Sequence, residues 1–75
     1  MEQGEAMQRL VERFARIGTT TAAAEWIREA NRMRFPIRTF DAYHLMRFER
    51  GNVIDTLLAE NERLVERPRE RHRIL

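Results

Sequence analysis

The chain has 75 residues, a net charge of +2 and no cysteine. All 14 of its basic side chains are arginine, and they stand beside 12 aspartate and glutamate residues. Without cysteine, a disulfide framework and a thiolate metal site are both excluded. A chain of this length forms one domain with a thin core, and pairing with a second copy is a common way to enlarge such a core. Size alone therefore favours a homodimer.

The arginines indicate what kind of partner the chain suits. Arginine presents a planar five-donor fork that matches phosphates and carboxylates. Residues 32–50 hold five arginines against two acids, and residues 67–73 hold four arginines against one glutamate. This distribution is typical of a protein that binds nucleic acid or an acidic protein surface, although a genome rich in G and C would produce the same bias.

Nothing in the sequence indicates a membrane or a secreted protein. Residues 1–5 are acidic and polar, without the basic start and apolar run of a signal peptide. No window approaches the roughly 18 apolar residues that a membrane span requires. We therefore expect a cytoplasmic protein that does not contact membranes.

Two helices are predicted before the middle of the chain. Apolar residues recur at helical spacing over residues 5–17, which predicts an amphipathic helix that Gly18 ends. The three threonines at 19–21 can cap a second helix. Because Pro36 forces the residue before it out of helical geometry, this second helix should end at residue 33 or 34.

A third and a fourth helix complete the predicted fold. Thr39 can cap the third helix, whose apolar residues cover more than one face and therefore predict a central position. These apolar residues are Phe40, Ala42, Tyr43, Leu45, Met46 and Phe48. Gly51 and Asn52 indicate a stop followed by a new cap, or else a kink in one continuous helix. The last helix runs from Val53 until Pro68 closes it.

We therefore predict an all-α fold. Residues 1–68 should form a small single domain of three to four short helices, either similar to a helix-turn-helix or an irregular bundle. Residues 69–75 should form a basic C-terminal tail.

A helix-turn-helix unit would explain the basic middle segment. Its second helix enters the major groove and contacts bases from its N-terminal residues. In this chain the unit would comprise the second helix, the connection at residues 34–38 and the third helix. The predicted DNA-binding residues are Arg34, Arg38, Thr39, His44, Arg47 and Arg50. Of these, Arg34 and Arg50 would contact phosphate, which fixes position on the duplex without reading sequence.

A second alignment treats residues 33–38 as a short strand, with Met33, Phe35 and Ile37 inward, followed by two helices that are separated at residues 51–52. That order resembles the ribbon-helix-helix repressors. The resemblance implies a dimer whose paired strands lie in the major groove.

The fourth helix carries a heptad pattern. Ile54, Leu57, Asn61 and Leu64 fall at positions a, d, a and d, and a lone Asn at an a position typically fixes the register of a paired helix. These four residues are the predicted dimer interface. Alternatively, Asn61 lies at the edge of the chain's own core.

Catalysis has little support in the sequence. The chain has no serine and no cysteine, so its two histidines lack a convincing nucleophile partner. Asp41 and His44 supply two possible metal ligands, whereas a zinc site requires at least three from the protein. We expect no enzymatic activity, no metal and no cofactor.

Two functions stay open at this point. The first is a small arginine-rich DNA-binding or regulatory protein of the bacterial, phage or plasmid type. The alternative is a helical protein-interaction module, an adaptor or an inhibitor of a host or defence protein, that does not bind DNA. Arginine suits both, since it is also enriched at protein interfaces.

Overall fold

The computed structural model describes residues 2–65, with side-chain burial from residue 4 onward. The helices and turn are α1 Glu2–Phe14, α2 Thr20–Arg32, α3 Thr39–Leu45, a 3-10 turn Met46–Phe48, and α4 Val53–Val65. The predicted all-α fold is confirmed. Within residues 2–65 no helix is long and apolar enough to cross a membrane. The predicted basic tail at 69–75, and Pro68 before it, lie outside the described residues.

Residues 33–38 connect α2 to α3 without forming a strand, so the ribbon-helix-helix alternative is wrong. Pro36 has no N–H to donate to a ladder of hydrogen bonds. The N–H of Ile37 is already bonded to the side chain of Asn61 at 3.1 Å. Neither Pro36 nor Ile37 can therefore donate a backbone hydrogen bond to a strand from a second copy.

The boundaries of α1 and α2 follow from local hydrogen bonds. The helix α1 ends at Phe14, earlier than the predicted residue 17, because the amide of Ile17 bonds to the carbonyl of Phe14 in a tight turn. The hydroxyl of Thr19 accepts a hydrogen bond from the amide of Ala22 at 3.0 Å. This bond caps α2, which confirms the prediction that the threonine cluster starts the second helix.

The start of α3 differs from the prediction, whereas the start of α4 agrees with it. Thr39 is the first helical residue of α3 and not its cap; Arg38 occupies the cap position without a side-chain capping bond. Gly51 and Asn52 both have positive φ, 66° and 67°, which breaks the helix at the predicted place and excludes a continuous kinked helix. The capping side chain, however, is Glu49 and not the predicted Asn52, since Glu49 Oε1 accepts from the amides of residues 54 and 55.

The core is built around α2, which packs against α1 and, most extensively, against α4. Its largest fully buried side chains come from all four helices: Leu10, Trp26, Ile27, Leu45, Ile54 and Asn61. The indole N–H of Trp26 donates to the carbonyl of Leu10 at 2.7 Å, which fixes α1 against α2. Arg13 and Glu29 form an ion pair at 2.7 Å between the same helices, and this hydrogen bond lowers the pKa of the Glu29 carboxyl.

Two asparagine side chains lie inside this otherwise apolar core. Asn31 on α2 is 6% exposed and Asn61 on α4 is 1% exposed. The amide nitrogen of Asn61 donates to Asn31 Oδ1 at 2.8 Å and to the carbonyl of Phe35 at 2.9 Å, while its oxygen accepts from the amide of Ile37. Asn31 in turn donates to the carbonyl of Leu57 at 3.3 Å. This network joins α2, α4 and the connection, and it satisfies each polar atom of the Asn61 side chain.

We predict that Asn61→Ala destabilises the protein strongly. The substitution leaves the amide of Ile37, the carbonyl of Phe35 and the oxygen of Asn31 without their partner, and each buried orphan costs about 1 to 3 kcal/mol. We expect a loss of at least about 3 kcal/mol in the free energy of unfolding, measured by urea denaturation. The control Glu62→Ala, at an exposed neighbouring position, should change stability by less than about 0.5 kcal/mol. Equal stability of the two variants would contradict the network.

Candidate functional site

The third helix packs on the core through one side of its C-terminal half. Leu45, its last residue, is the buried residue of α3. The turn that follows is held by Thr20, whose hydroxyl donates to the carbonyl of Phe48 at 2.6 Å. The prediction that the third helix is central is therefore wrong. A thin core covers one side of a seven-residue helix, here Ala42 and Leu45, whereas Phe40 and Tyr43 face solvent.

The exposed side of α3 is aromatic. Phe40 is 77% exposed, Tyr43 is 78% exposed, and Met46 at the start of the 3-10 turn is 39% exposed. The spacing of three residues places these side chains on one face. Together with His44 and Arg47 they line an open depression of about 570 Å³. We call these five residues the α3 face. A contiguous patch of exposed apolar side chains with a polar rim is typical of an interaction site.

Behind the α3 face lies a cluster of aromatic rings. The ring of His44 is half-buried between Phe14, at a centroid distance of 5.4 Å, and Phe48, at 6.2 Å. Phe14 also packs edge-on against Trp26 at 5.1 Å. His44 was predicted to face DNA together with the arginines, whereas these contacts place it at the base of the α3 face. Its ring therefore joins the α3 face to the aromatic cluster of Phe14 and Phe48.

Arg34 ends α2 in a conformation that normally belongs to glycine. Its φ is +52°. The amide of Phe35 bonds to the carbonyl of Ala30 at 2.8 Å, and the amide of Arg34 bonds to the carbonyl of Asn31 at 3.1 Å. This pair of bonds defines a Schellman motif with Arg34 at the left-handed C′ position. An L-residue is strained there, since its Cβ approaches the following carbonyl.

The other predicted DNA-binding residues lie at the two ends of α3. At its N-terminal end Arg38 and Thr39 are exposed, and Arg38 Nε lies 3.5 Å from a carboxylate oxygen of Asp41. Arg38, Thr39 and Asp41 also line a second depression, of about 590 Å³, between α1 and α3. At the C-terminal end Arg47 and Arg50 are exposed. The structure therefore places these predicted residues at or just beyond the two ends of α3. The exposed aromatic side chains of α3 lie between the two groups.

The predicted dimer residues on α4 have partners inside the chain. Ile54 is fully buried and Asn61 is 1% exposed, because α4 packs this side against α2. Neither residue is available to a second copy in this structure, and Asn61 lies within the core and not at its edge. Leu57 and Leu64 are half-buried. Dimerisation itself stays a prediction, but Ile54 and Asn61 are corrected from interface residues to core residues.

Sequence reasoning missed Phe40 and Tyr43 as candidate site residues. Their apolar character predicts burial in a central helix, whereas both are exposed. The signal that could have identified them is the distribution of apolar residues around the third helix, because a short chain cannot surround such a helix on every side. In so small a domain, a helix with apolar residues on every side has to leave one of its apolar faces exposed.

No protein-family model, no curated protein and no solved structure matches this chain. Among the described residues, no group of three His, Cys, Asp or Glu side chains could hold a metal ion.

We predict that Arg34→Gly stabilises the protein. Glycine adopts the left-handed conformation without steric strain, and the gain, reduced by the greater freedom of glycine in the unfolded chain, should be up to about 1 kcal/mol. The control is Arg28→Gly at an exposed position inside α2, which should cost about 1 kcal/mol. Thermal unfolding of both variants measures the difference. A loss of stability in Arg34→Gly would contradict the left-handed conformation.

Proposed function

We propose that this chain is a small helical protein-interaction module that docks on a partner protein through the α3 face. The observation that carries the proposal is the exposure of Phe40 and Tyr43, at 77% and 78%. Burying one such side chain at an interface contributes roughly 1.5 to 3 kcal/mol. Tyrosine is also among the residue types that dominate the binding energy of protein interfaces.

The charges around α3 support a protein partner over a DNA duplex. A surface that binds phosphates typically has arginines on one continuous basic face. Here Asp41 lies beside Arg38 and offsets its charge, and the exposed aromatic rings separate Arg38 from Arg47. Aromatic residues, Met and Arg, which line the α3 face, are the residue types enriched at protein interfaces.

Nucleic-acid binding is the second candidate, and one specific observation favours it. Arg34, Arg47 and Arg50 are exposed, and within the described part of the chain no carboxylate lies within 4.0 Å of their guanidinium groups. Such arginines are available for phosphate. If they bind DNA, the affinity must fall steeply with salt, with a log-log slope of roughly 0.9 per neutralised phosphate.

We predict that Phe40→Ala/Tyr43→Ala removes partner binding without unfolding the protein. Both side chains are exposed, so stability should change by less than about 0.5 kcal/mol, whereas the loss of a core aromatic side chain costs about 3 to 5 kcal/mol. The control is Val53→Ala, which shortens a 37%-exposed side chain on α4. Each immobilised protein is incubated with nuclease-treated extract of the cells that produce it, and captured proteins are quantified by mass spectrometry.

The wild-type protein and Val53→Ala should capture the same partner, and the double variant should lose it. Two central aromatic residues together account for at least about a 30-fold change in affinity. Capture of the same proteins by all three would contradict the proposal. The second candidate would be established instead if the protein binds random duplex DNA at low salt, if the double variant binds it equally well, and if Arg34→Ala or Arg50→Ala weakens this binding.

A further inference from the structure

The chemistry of the α3 face restricts the partner that it fits. The depression is lined by Phe40, Tyr43, His44, Met46 and Arg47, and no carboxylate is among these lining residues. Its floor and walls are apolar or aromatic, and its charged group is a cation. A bound segment would therefore place apolar side chains against the rings and meet positive charge at the rim.

The acidic residues nearest in sequence are already engaged elsewhere. Asp41 lies 3.5 Å from Arg38 and belongs to the depression on the other side, between α1 and α3. Glu49 caps α4, with its Oε1 at 2.7 Å from the amide of Ile54 and 3.1 Å from the amide of Asp55. These carboxylates have structural roles and do not neutralise the rim of the α3 face.

Arg47, which lines the α3 face, and Arg50, three residues after it in the chain, lack such partners. Arg47 and Arg50 are exposed, and among residues 4–65 no carboxylate lies within 4.0 Å of either guanidinium. An arginine covered by an uncharged partner loses hydration without compensation, which is costly. A carboxylate placed against it forms two parallel charge-assisted hydrogen bonds instead. The α3 face therefore favours a partner that brings its own acids.

We infer that the occupant of the α3 face is an acidic peptide segment of the partner protein, with a large apolar side chain seated between Phe40 and Tyr43 and carboxylates bonded to Arg47 and Arg50. This inference rests on the proposed function and names the chemistry of the partner at the same site. The apolar anchor supplies most of the affinity. The carboxylates supply specificity and faster association, because complementary charge steers the encounter.

The test uses random-sequence peptides displayed on phage, selected against the full chain. The immobilised proteins are the wild type, Arg47→Glu/Arg50→Glu, and Phe40→Ala/Tyr43→Ala. The matched charge control is Arg28→Glu/Arg63→Glu, which reverses two exposed arginines on α2 and α4. Circular dichroism confirms that each variant is folded before selection.

The wild type and the charge control should enrich peptides that carry an aromatic residue or leucine close to two or more acids. A synthetic peptide of this kind should bind Arg47→Glu/Arg50→Glu about tenfold or more weakly than the wild type, and the charge control within about twofold. Its binding to the wild type should weaken as salt rises. The aromatic double variant should enrich nothing above background.

Four other results would overturn the inference, and they are distinguishable. Enriched peptides without an acidic preference would refute the chemistry of the partner but leave the proposed function intact. If no peptide binds the wild type more tightly than the aromatic double variant, the inference and the proposed function are both refuted. Sedimentation that shows a dimer lost only in the aromatic double variant would identify a second copy as the occupant. A single-stranded oligonucleotide that binds the wild type and not that variant would assign the face to nucleic acid.

Discussion

The hydrogen-bonded pair of buried amides, Asn31 and Asn61, determines how the other elements are placed. Burying an amide is costly unless its donors and acceptor are bonded. The side chain of Asn61 meets this condition by bonding to α2 and to both Phe35 and Ile37 in the connection. The pair therefore fixes α4 against α2 and fixes the path of the connection at the same time. A polar network of this kind specifies one arrangement where an apolar contact would tolerate several.

The outward orientation of α3 follows from that path. The buried network commits residues 35–37 to the α2 and α4 side, so α3 begins at the surface and packs on the core through Ala42 and Leu45. Its aromatic side chains Phe40 and Tyr43 are consequently left in water. An arrangement that stabilises the core thus also leaves two aromatic residues exposed on α3. Aromatic side chains have few rotatable bonds, so they lose little conformational freedom on binding.

Local signals in the sequence predicted the elements well. Helical periodicity, the Thr19 cap, the stop near Pro36 and the break at Gly51 gave four helices close to their observed bounds. What the sequence did not predict depends on contacts distant along the chain. Asn61 in a heptad position is compatible with a paired helix, and only its bond to Asn31, thirty residues away, shows its role in the core. The exposed aromatic face was missed for the same reason, since periodicity does not say which side of a short helix the rest of the chain covers.

Native-state hydrogen exchange at the amide of Ile37 tests the central claim most directly. This amide lies in a non-helical connection and has no backbone partner in a helix or a sheet; the structure bonds it to the buried oxygen of Asn61. We predict protection close to that of amides inside α2, so that exchange requires opening of the core. Exchange as fast as that of Thr39, whose amide lies in the unbonded first turn of α3, would contradict the account.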